Sequence, residues 1–555
     1  MRADFSLDYD VLTVEHPQKV YLMARFEAGT SPDDALRRPL NLSLVIDRSG
    51  SMAGEKIDYT RQAAQFLVQH LGANDTFSIV LYNDKVETLL APEHVSNKDS
   101  IVQLLERIRV RGTTNLSGGW LEGCMHVAAH KSARAMNRVI LMTDGLANRG
   151  VTDNNTLITM AKQKYGEGVT TTAMGLGKDF NEDLMMEMAN AGGGAFYFIE
   201  SPEVTPEIFQ EELSGLLSVV GQNLTISIVT SHDDVTGLRQ LNAYPVDISG
   251  RETSFRLGDI FANEVKTLVL ELSIPALEKL GEAQIATLRF DYDEILGETT
   301  THHTKEFPVK VNIKEKVDQT DVNEDVAQSV LLLQAANARR DAVKAADRGD
   351  YTRASTVLRE AARSIDESQV INNQLREEKD ALLEQATKLD KGAESYTDYS
   401  RKTMSTQAMY TMTSRHDDTV MLRLRENERQ QQGEKVITPP QSAVQNASGA
   451  IPIAKERGIP PKFLKHNDTV YPIDKDIIRI GRSSHNEIVI DEKGISRFHG
   501  QIRLVDNKVI FEDLGSTNGS TIDDKPITQP HELSVGDVIL LSEEKLVFLK
   551  RSDAQ

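Results

Sequence analysis

Between residues 39 and 218, short apolar runs alternate with longer stretches whose apolar positions recur every three or four residues. NLSLVID (41–47), TFSIVLYN (76–83), RVILMTDG (138–145) and VTTTAMGLG (169–177) have the length and composition of strands. Lys56–Leu71, Lys98–Arg107, Leu116–Lys131, Asn155–Tyr165, Glu182–Ala191 and Pro206–Val219 have helical spacing. This alternation predicts a doubly wound, mostly parallel sheet of Rossmann-like type. From 221 to 315 the period shortens to two, in NLTISIVTS, TSFRLGDIF, VKTLVLELSI, AQIATLRFDYD and FPVKVNI, with no helix between them. That pattern predicts an antiparallel β-sandwich. QKVYLMARFEA (18–28) also reads as a strand but has no partner in the α/β region. It is expected to join the later sheet, which makes the α/β domain (39–218) an insertion between residues 1–38 and 221–315 of the sandwich.

Residues 322–430 form a helical region as far as 391. Tyr351, Ala354, Leu358, Ala361 and Ile365 share one face, and Leu375, Leu382, Ala386 and Leu389 share another. Gly349 separates two helices, whose apolar faces predict packing on a neighbour. Residues 393–430 are rich in Met and Thr and have no clear period. Residues 431–462 are poor in hydrophobics and rich in Pro, Gly, Ser and Gln, a flexible linker able to span ~30 Å. Residues 463–551 return to short strands and Gly/Asp/Asn turns, a separate β domain. The fold class is multidomain, α/β plus β.

A chain of 555 residues exceeds one ordinary core, which agrees with this division. The net charge of -20, with no basic run, argues against nucleic acid as the main partner. Cys124 is the single cysteine, so no intramolecular disulfide forms and a reducing compartment is expected. The opening MRADFSLDYD lacks a signal-peptide pattern, and no apolar run reaches the ~18 residues of a membrane span. The expected localisation is cytoplasmic.

Chemistry enters where NLSLVID stops. Oxygen-bearing side chains follow at alternate positions: Asp47, Ser49 and Ser51. RGTTNLSGG (111–119) places Thr114 at a loop-to-helix turn, and LMTDG ends a strand at Asp144. Loops at the carboxyl ends of a doubly wound sheet gather its ligand site, so these three loops can converge. No His or Cys accompanies them, and an oxygen-only set suits Mg²⁺ or Mn²⁺. A helix cap explains one serine and leaves the rest. A nucleophilic serine would want G-x-S-x-G and a base.

The 39–218 segment resembles a von Willebrand factor A domain. Asp47-x-Ser49-x-Ser51, Thr114 and Asp144 match its metal-ion-dependent adhesion site; Thr114 is chosen over Thr113 because it directly precedes Asn115. The resemblance implies hydroxyls on the metal, aspartates acting largely through water, and an acidic side chain from a partner protein in the open position. FRLGDIFANEVKTLVLELSIP resembles the sandwich that follows this domain in bacterial proteins of the calcium-activated-chloride-channel-like type.

In the last domain, IGRSS, ISRFH and DLGSTNG fall on successive loops. A phosphate dianion needs a guanidinium fork with hydroxyl donors beside it, which Arg482 and Ser496 can supply; Asn518 can hold the peptide backbone. This stretch resembles a forkhead-associated domain, a phosphothreonine-binding β-sandwich. The resemblance implies phosphate contacts from Arg482 and Ser496, and loop shaping and main-chain contacts from Thr517 and Asn518. It implies secondary contacts from Ser483 and Arg497, and structural roles for Gly481, His499 and Gly519.

A Ser/Thr kinase is then implied in the same cell. Threonines in Arg401–Thr419, or Thr438, are candidate phosphosites for capture in cis or by a second copy. The expected function is a non-enzymatic adaptor, joining a phosphothreonine protein at one end to a Mg²⁺-held carboxylate at the other. Two rivals are a regulatory subunit docking on an AAA-type ATPase or envelope machine, and a metal-dependent enzyme. The chain has no G-x-x-x-x-G-K-[ST] loop with which to be the ATPase itself.

Overall fold

The computed structural model describes residues 1–413 and 462–550, apart from 15, 30–37, 133, 178, 200, 202–203, 232–234, 278, 297–298, 316–321, 369, 371, 467–468, 474–476, 483–485, 487, 491, 493, 497–498, 506–507, 514–515, 517–518, 523–524, 528–530 and 543. The chain divides into two compact units, Met1–Val370 with Glu378–Met421, and Ile371–Glu377 with Leu422–Gln555.

The inserted α/β domain is built on a six-stranded sheet in the order Val86–His94, Thr76–Tyr82, Leu40–Asp47, Met136–Thr143, Thr170–Leu176 and Gly193–Ile199. All neighbours are parallel except Val86–His94, an antiparallel edge. Leu40–Asp47 is buried at every position, as a central strand covered on both faces must be. The helices are α1 (Glu55–His70), α2 (Lys98–Glu106), α3 (Leu116–Ala129), α4 (Asn154–Gly166), α5 (Glu182–Ala191) and α6 (Thr205–Leu217). Gly123 lets α3 lie close on the sheet, because a Cβ there would meet Val45 Cγ2 at 2.4 Å.

Sequence spacing misplaces one boundary. Val219 belongs to the strand Val219–Thr230, paired with Phe261, and α6 stops at Leu217. Two strands of the inserted domain's sheet lie outside the sequence reading. Val86–His94 carries Pro92, and Leu90 is its one buried position, as an edge allows. Gly193–Ile199 opens on glycines that read as a turn.

The sandwich pairs a four-stranded sheet (Arg2–Leu7, Gln18–Glu27, Val265–Ile274, Gly237–Gln240) with a six-stranded one (Val246–Ser249, Glu252–Phe261, Val219–Thr230, Gly281–Leu296, Thr299–Lys314, Val11–Thr13). Gln18–Glu27 runs antiparallel to Val265–Ile274 over its whole length, so the α/β domain interrupts a β domain. Phe26, Leu270, Ile226 and Phe290 lie in its core.

Four further helices follow: α7 (Glu324–Ala346), α8 (Tyr351–Asp366), α9 (Asn373–Asp390) and α10 (Asp398–Met412). α10 falls where the sequence has no clear period, yet Thr403 and Thr406 are completely buried and Tyr410 is nearly so. It is held from several sides. Tyr410 Oη donates to Phe196 O at 2.9 Å, Lys402 Nζ donates to Phe180 O at 2.7 Å, and Ala243 N donates to Met412 O at 3.1 Å. The expectation that this segment offers phosphosites is therefore corrected for Thr403 and Thr406, which the fold keeps from solvent; Thr419 and Thr438 lie outside the described residues.

The second unit holds a β-sandwich. One sheet orders Thr469–Pro472, Lys462–His466, Glu544–Lys550, Val538–Leu541, Ser520–Ile522 and Lys525–Pro526; the other orders Ile488–Val489, Ile477–Gly481, Gly500–Val505, Lys508–Asp513 and His531–Glu532. Ile480, Ile502, Phe511, Ile539 and Leu546 fill the space between them.

Candidate functional site

The five residues singled out in the α/β domain meet at the carboxyl edge of its sheet. Asp47 ends its strand without solvent exposure. Its Oδ1 accepts the Ser49 N–H at 2.8 Å, and its Oδ2 accepts Thr143 Oγ1–H at 2.8 Å. Burial pushes the Asp47 carboxyl up to about 6, against the hydrogen bonds from Ser49 and Thr143, with the Asp144 charge adding to the rise. Ser49 Oγ lies 3.0 Å from Ser51 Oγ, and Ser51 Oγ donates to Asp144 Oδ1 at 2.7 Å.

Backbone bonds stitch the loops together. Gly50 N donates to Gly112 O at 3.1 Å and Arg111 N donates to Arg48 O at 2.8 Å. Thr114 N donates to Asn148 Oδ1 at 3.0 Å, and Asn148 N and Arg149 N donate back to Thr114 O. Asn115 fixes the start of α3 by accepting the Gly118 N–H at 3.1 Å. A Cβ on Gly145 would lie 3.6 Å from Thr114 Oγ1 and 3.7 Å from Ser51 Oγ, so both hydroxyls converge on that glycine. Thr113, by contrast, is exposed.

Sequence reasoning missed three participants. Thr143 precedes Asp144 and was legible as a hydroxyl in LMTDG. Asn148 lies in a loop with no motif. Lys56, in the first turn of α1, donates from Nζ to Asp144 Oδ2 at 2.6 Å. A lysine on an amphipathic helix reads as part of the solvated face, so its pattern carries no signal.

In the second unit, Gly481 ends the strand Ile477–Gly481 rather than forming a turn, and is followed by the exposed Arg482, whose N–H donates to Ser496 O at 2.9 Å. His499 is fully buried and braces three loops. Its own N–H donates to Ile480 O at 2.8 Å, its Nδ1 accepts the Ser496 N–H at 3.2 Å, and its Nε2 donates to Gly519 O at 3.2 Å. An Nδ1 that accepts fixes the neutral tautomer with its proton on Nε2. Burial lowers the His499 pKa in the same sense, against the pull of Gly519 O and Asp513. Gly519 has φ +73°, a conformation that favours glycine. Asp513, which the motif did not flag, receives Ser516 N and Ser516 Oγ at 2.8 Å each, and also Ser520 Oγ. Ser483, Arg497, Thr517 and Asn518 lie outside the described residues.

A family model for the von Willebrand factor type A domain matches residues 41–211, and one for the FHA domain matches residues 478–542. The chain carries both domains. Both imply protein–protein interaction, and the FHA domain implies phosphothreonine-containing partners. The chain is 24% identical over 371 residues to the uncharacterized protein sll0103 of Synechocystis sp., a match covering 65% of this chain and 86% of that one. It is 27% identical over 265 residues to the uncharacterized protein YfbK of Escherichia coli, covering 47% of this chain and 45% of that relative. A von Willebrand factor type A structure from Catenulispora acidiphila superposes with a TM-score of 0.58 at 16% identity, covering 74% of this chain and 96% of that one, and so shares the fold. No helix among the described residues is long and apolar enough to cross a membrane.

Proposed function

We propose that the protein is a non-enzymatic adaptor in Ser/Thr kinase signalling inside the cell. Its FHA domain takes a phosphothreonine protein, and its von Willebrand factor A domain takes an acidic side chain of a second partner through Mg²⁺ or Mn²⁺. The observation that carries the reading is the junction of Arg482 and Ser496. An exposed guanidinium leaves a backbone clamped to the serine's own carbonyl, so two donor-bearing residues are fixed at one rim before any ligand arrives. The buried, neutral His499 holds that rim without adding charge to it.

The donor set in the first unit fits a hard divalent cation. Hydroxyl and carboxylate oxygens converge there, and the Lys56 ammonium already rests on Asp144. Asp47, Ser49, Ser51, Thr114 and Asp144 would hold the ion, which would supply a positive centre for a carboxylate. Both oxygens of Asp47 and of Asp144 accept hydrogen bonds from the chain, which fixes the orientation of the two carboxylates.

The test is binding of a degenerate phosphothreonine peptide library to the full-length protein and to Arg482→Ala. Binding that needs the phosphate and falls by about 2–5 kcal/mol in Arg482→Ala supports the adaptor. Equal affinity in both forms removes Arg482 from the site.

A further inference from the structure

We propose that Lys56 couples occupancy of the metal site to arrival of the partner's carboxylate, making the two bind together better than either binds alone. The inference rests on the metal reading above and goes beyond it, because Lys56 is outside the adhesion-site motif.

The geometry is specific. Lys56 is rooted in the first turn of α1, where its carbonyl accepts Thr60 Oγ1–H at 2.7 Å. Its side chain is 24% exposed and ends on Asp144, which has no exposure at all. The stem passes over Gly177, where a Cβ would sit 3.6 Å from Lys56 Cε and 3.7 Å from Nζ. Gly177 has φ +68°, a conformation that favours glycine. Arg48, the other basic residue beside the motif serines, is turned to Glu87 at 2.6 Å. Among the described residues, Lys56 is the cation that pairs with a carboxylate of the site.

The consequence follows from charge. Asp47 and Asp144, both ionised, give two negative charges, and Lys56 returns one positive. A divalent cation carries this partly dry site past neutrality to a net single positive charge. One incoming carboxylate brings it back to zero. Without the lysine, the cation alone gives neutrality and the carboxylate then overshoots. Net charge in a site shielded from water is costly. Lys56 therefore opposes the cation bound by itself and favours the cation bound with a carboxylate. In the cation-free protein it neutralises Asp144 and holds the loop arrangement described above.

The experiment uses the full-length protein, Mn²⁺ as the metal and acetate as a minimal carboxylate. Free Mn²⁺ is read by electron paramagnetic resonance, corrected for Mn²⁺–acetate association. Lys56→Met removes the charge at similar length, and Lys56→Arg keeps it; circular dichroism checks that each folds. Lys56→Gln replaces the methionine form if that one does not. The expected result is about tenfold tighter Mn²⁺ binding by Lys56→Met in the absence of acetate. Acetate then tightens Mn²⁺ binding by the wild-type protein more than by Lys56→Met, and Lys56→Arg follows the wild type. Equal Mn²⁺ affinity and equal acetate response in wild type and Lys56→Met would overturn the role of Lys56 and leave the metal reading standing. Absence of Mn²⁺ binding by every form would remove the metal reading, and this inference with it.

Discussion

Asp8 is 7% exposed, and its Oδ1 accepts the backbone N–H groups of Tyr9 at 3.0 Å and Tyr21 at 2.9 Å. Burial outweighs those bonds and pushes its carboxyl from 3.8 to about 6. A folded-state pKa above the unfolded one gives stability that is fully present below about pH 4 and lost as pH rises through about 6. Asp8→Asn keeps the acceptor and removes the charge. Its thermal stability relative to wild type should rise from pH 5 to pH 7.5, by about 1 kcal/mol after allowing for partial solvent screening. A difference independent of pH would mean that Asp8 is not the titrating group. Nothing in the sequence marks Asp8, because its cost comes from burial, which no local pattern shows. That Asp47, Ser49, Ser51, Thr114 and Asp144 would meet was legible because the sheet fixes their loops. Lys56 was not, since it acts through a contact with Asp144 that no local pattern encodes.

At the scale of the element, the parallel strands were legible because burial on both faces writes an unbroken apolar run. α10 was not. Its buried positions include Thr403, Thr406, Gln407 and Lys402, residues that ordinarily signal solvent. Lys402 and Gln407 are tolerated because polar partners await them. Gln407 Oε1 accepts Gln385 Nε2–H at 2.9 Å, Gln385 Oε1 accepts Arg339 Nε–H at 2.9 Å, and Arg339 also pairs with Glu378. This buried chain of groups ties α7, α9 and α10 into one register. Arg339→Ala should destabilise the protein by about 3–5 kcal/mol in chemical denaturation, because Glu378 is left buried and unpaired. The double change Arg339→Met with Glu378→Leu should recover most of that loss. A double variant as unstable as the single one would locate the cost in packing.

At the scale of the molecule, a net charge of -20 favours solubility. A phosphothreonine peptide at one hundred times its Kd should stabilise the Lys462–Lys550 sandwich by about 2.7 kcal/mol. Scanning calorimetry of the full-length protein should show one transition move upward, and the same peptide should move nothing in Arg482→Ala. A shift of equal size in both forms would point to a site elsewhere.

The pairing of Gln18–Glu27 with Val265–Ile274 has a consequence in time. The first of these strands leaves the ribosome about 250 residues before the second, an interval on the order of ten to fifty seconds at ordinary synthesis rates. Through that interval an apolar strand has no permanent neighbour, while the inserted domain, whose strands pair only with one another, can already close. α10, the last helix of the unit, arrives later still. The nascent chain therefore has a closed α/β domain before it has a finished body, and Gln18–Glu27 is an apolar segment open to a chaperone in that interval.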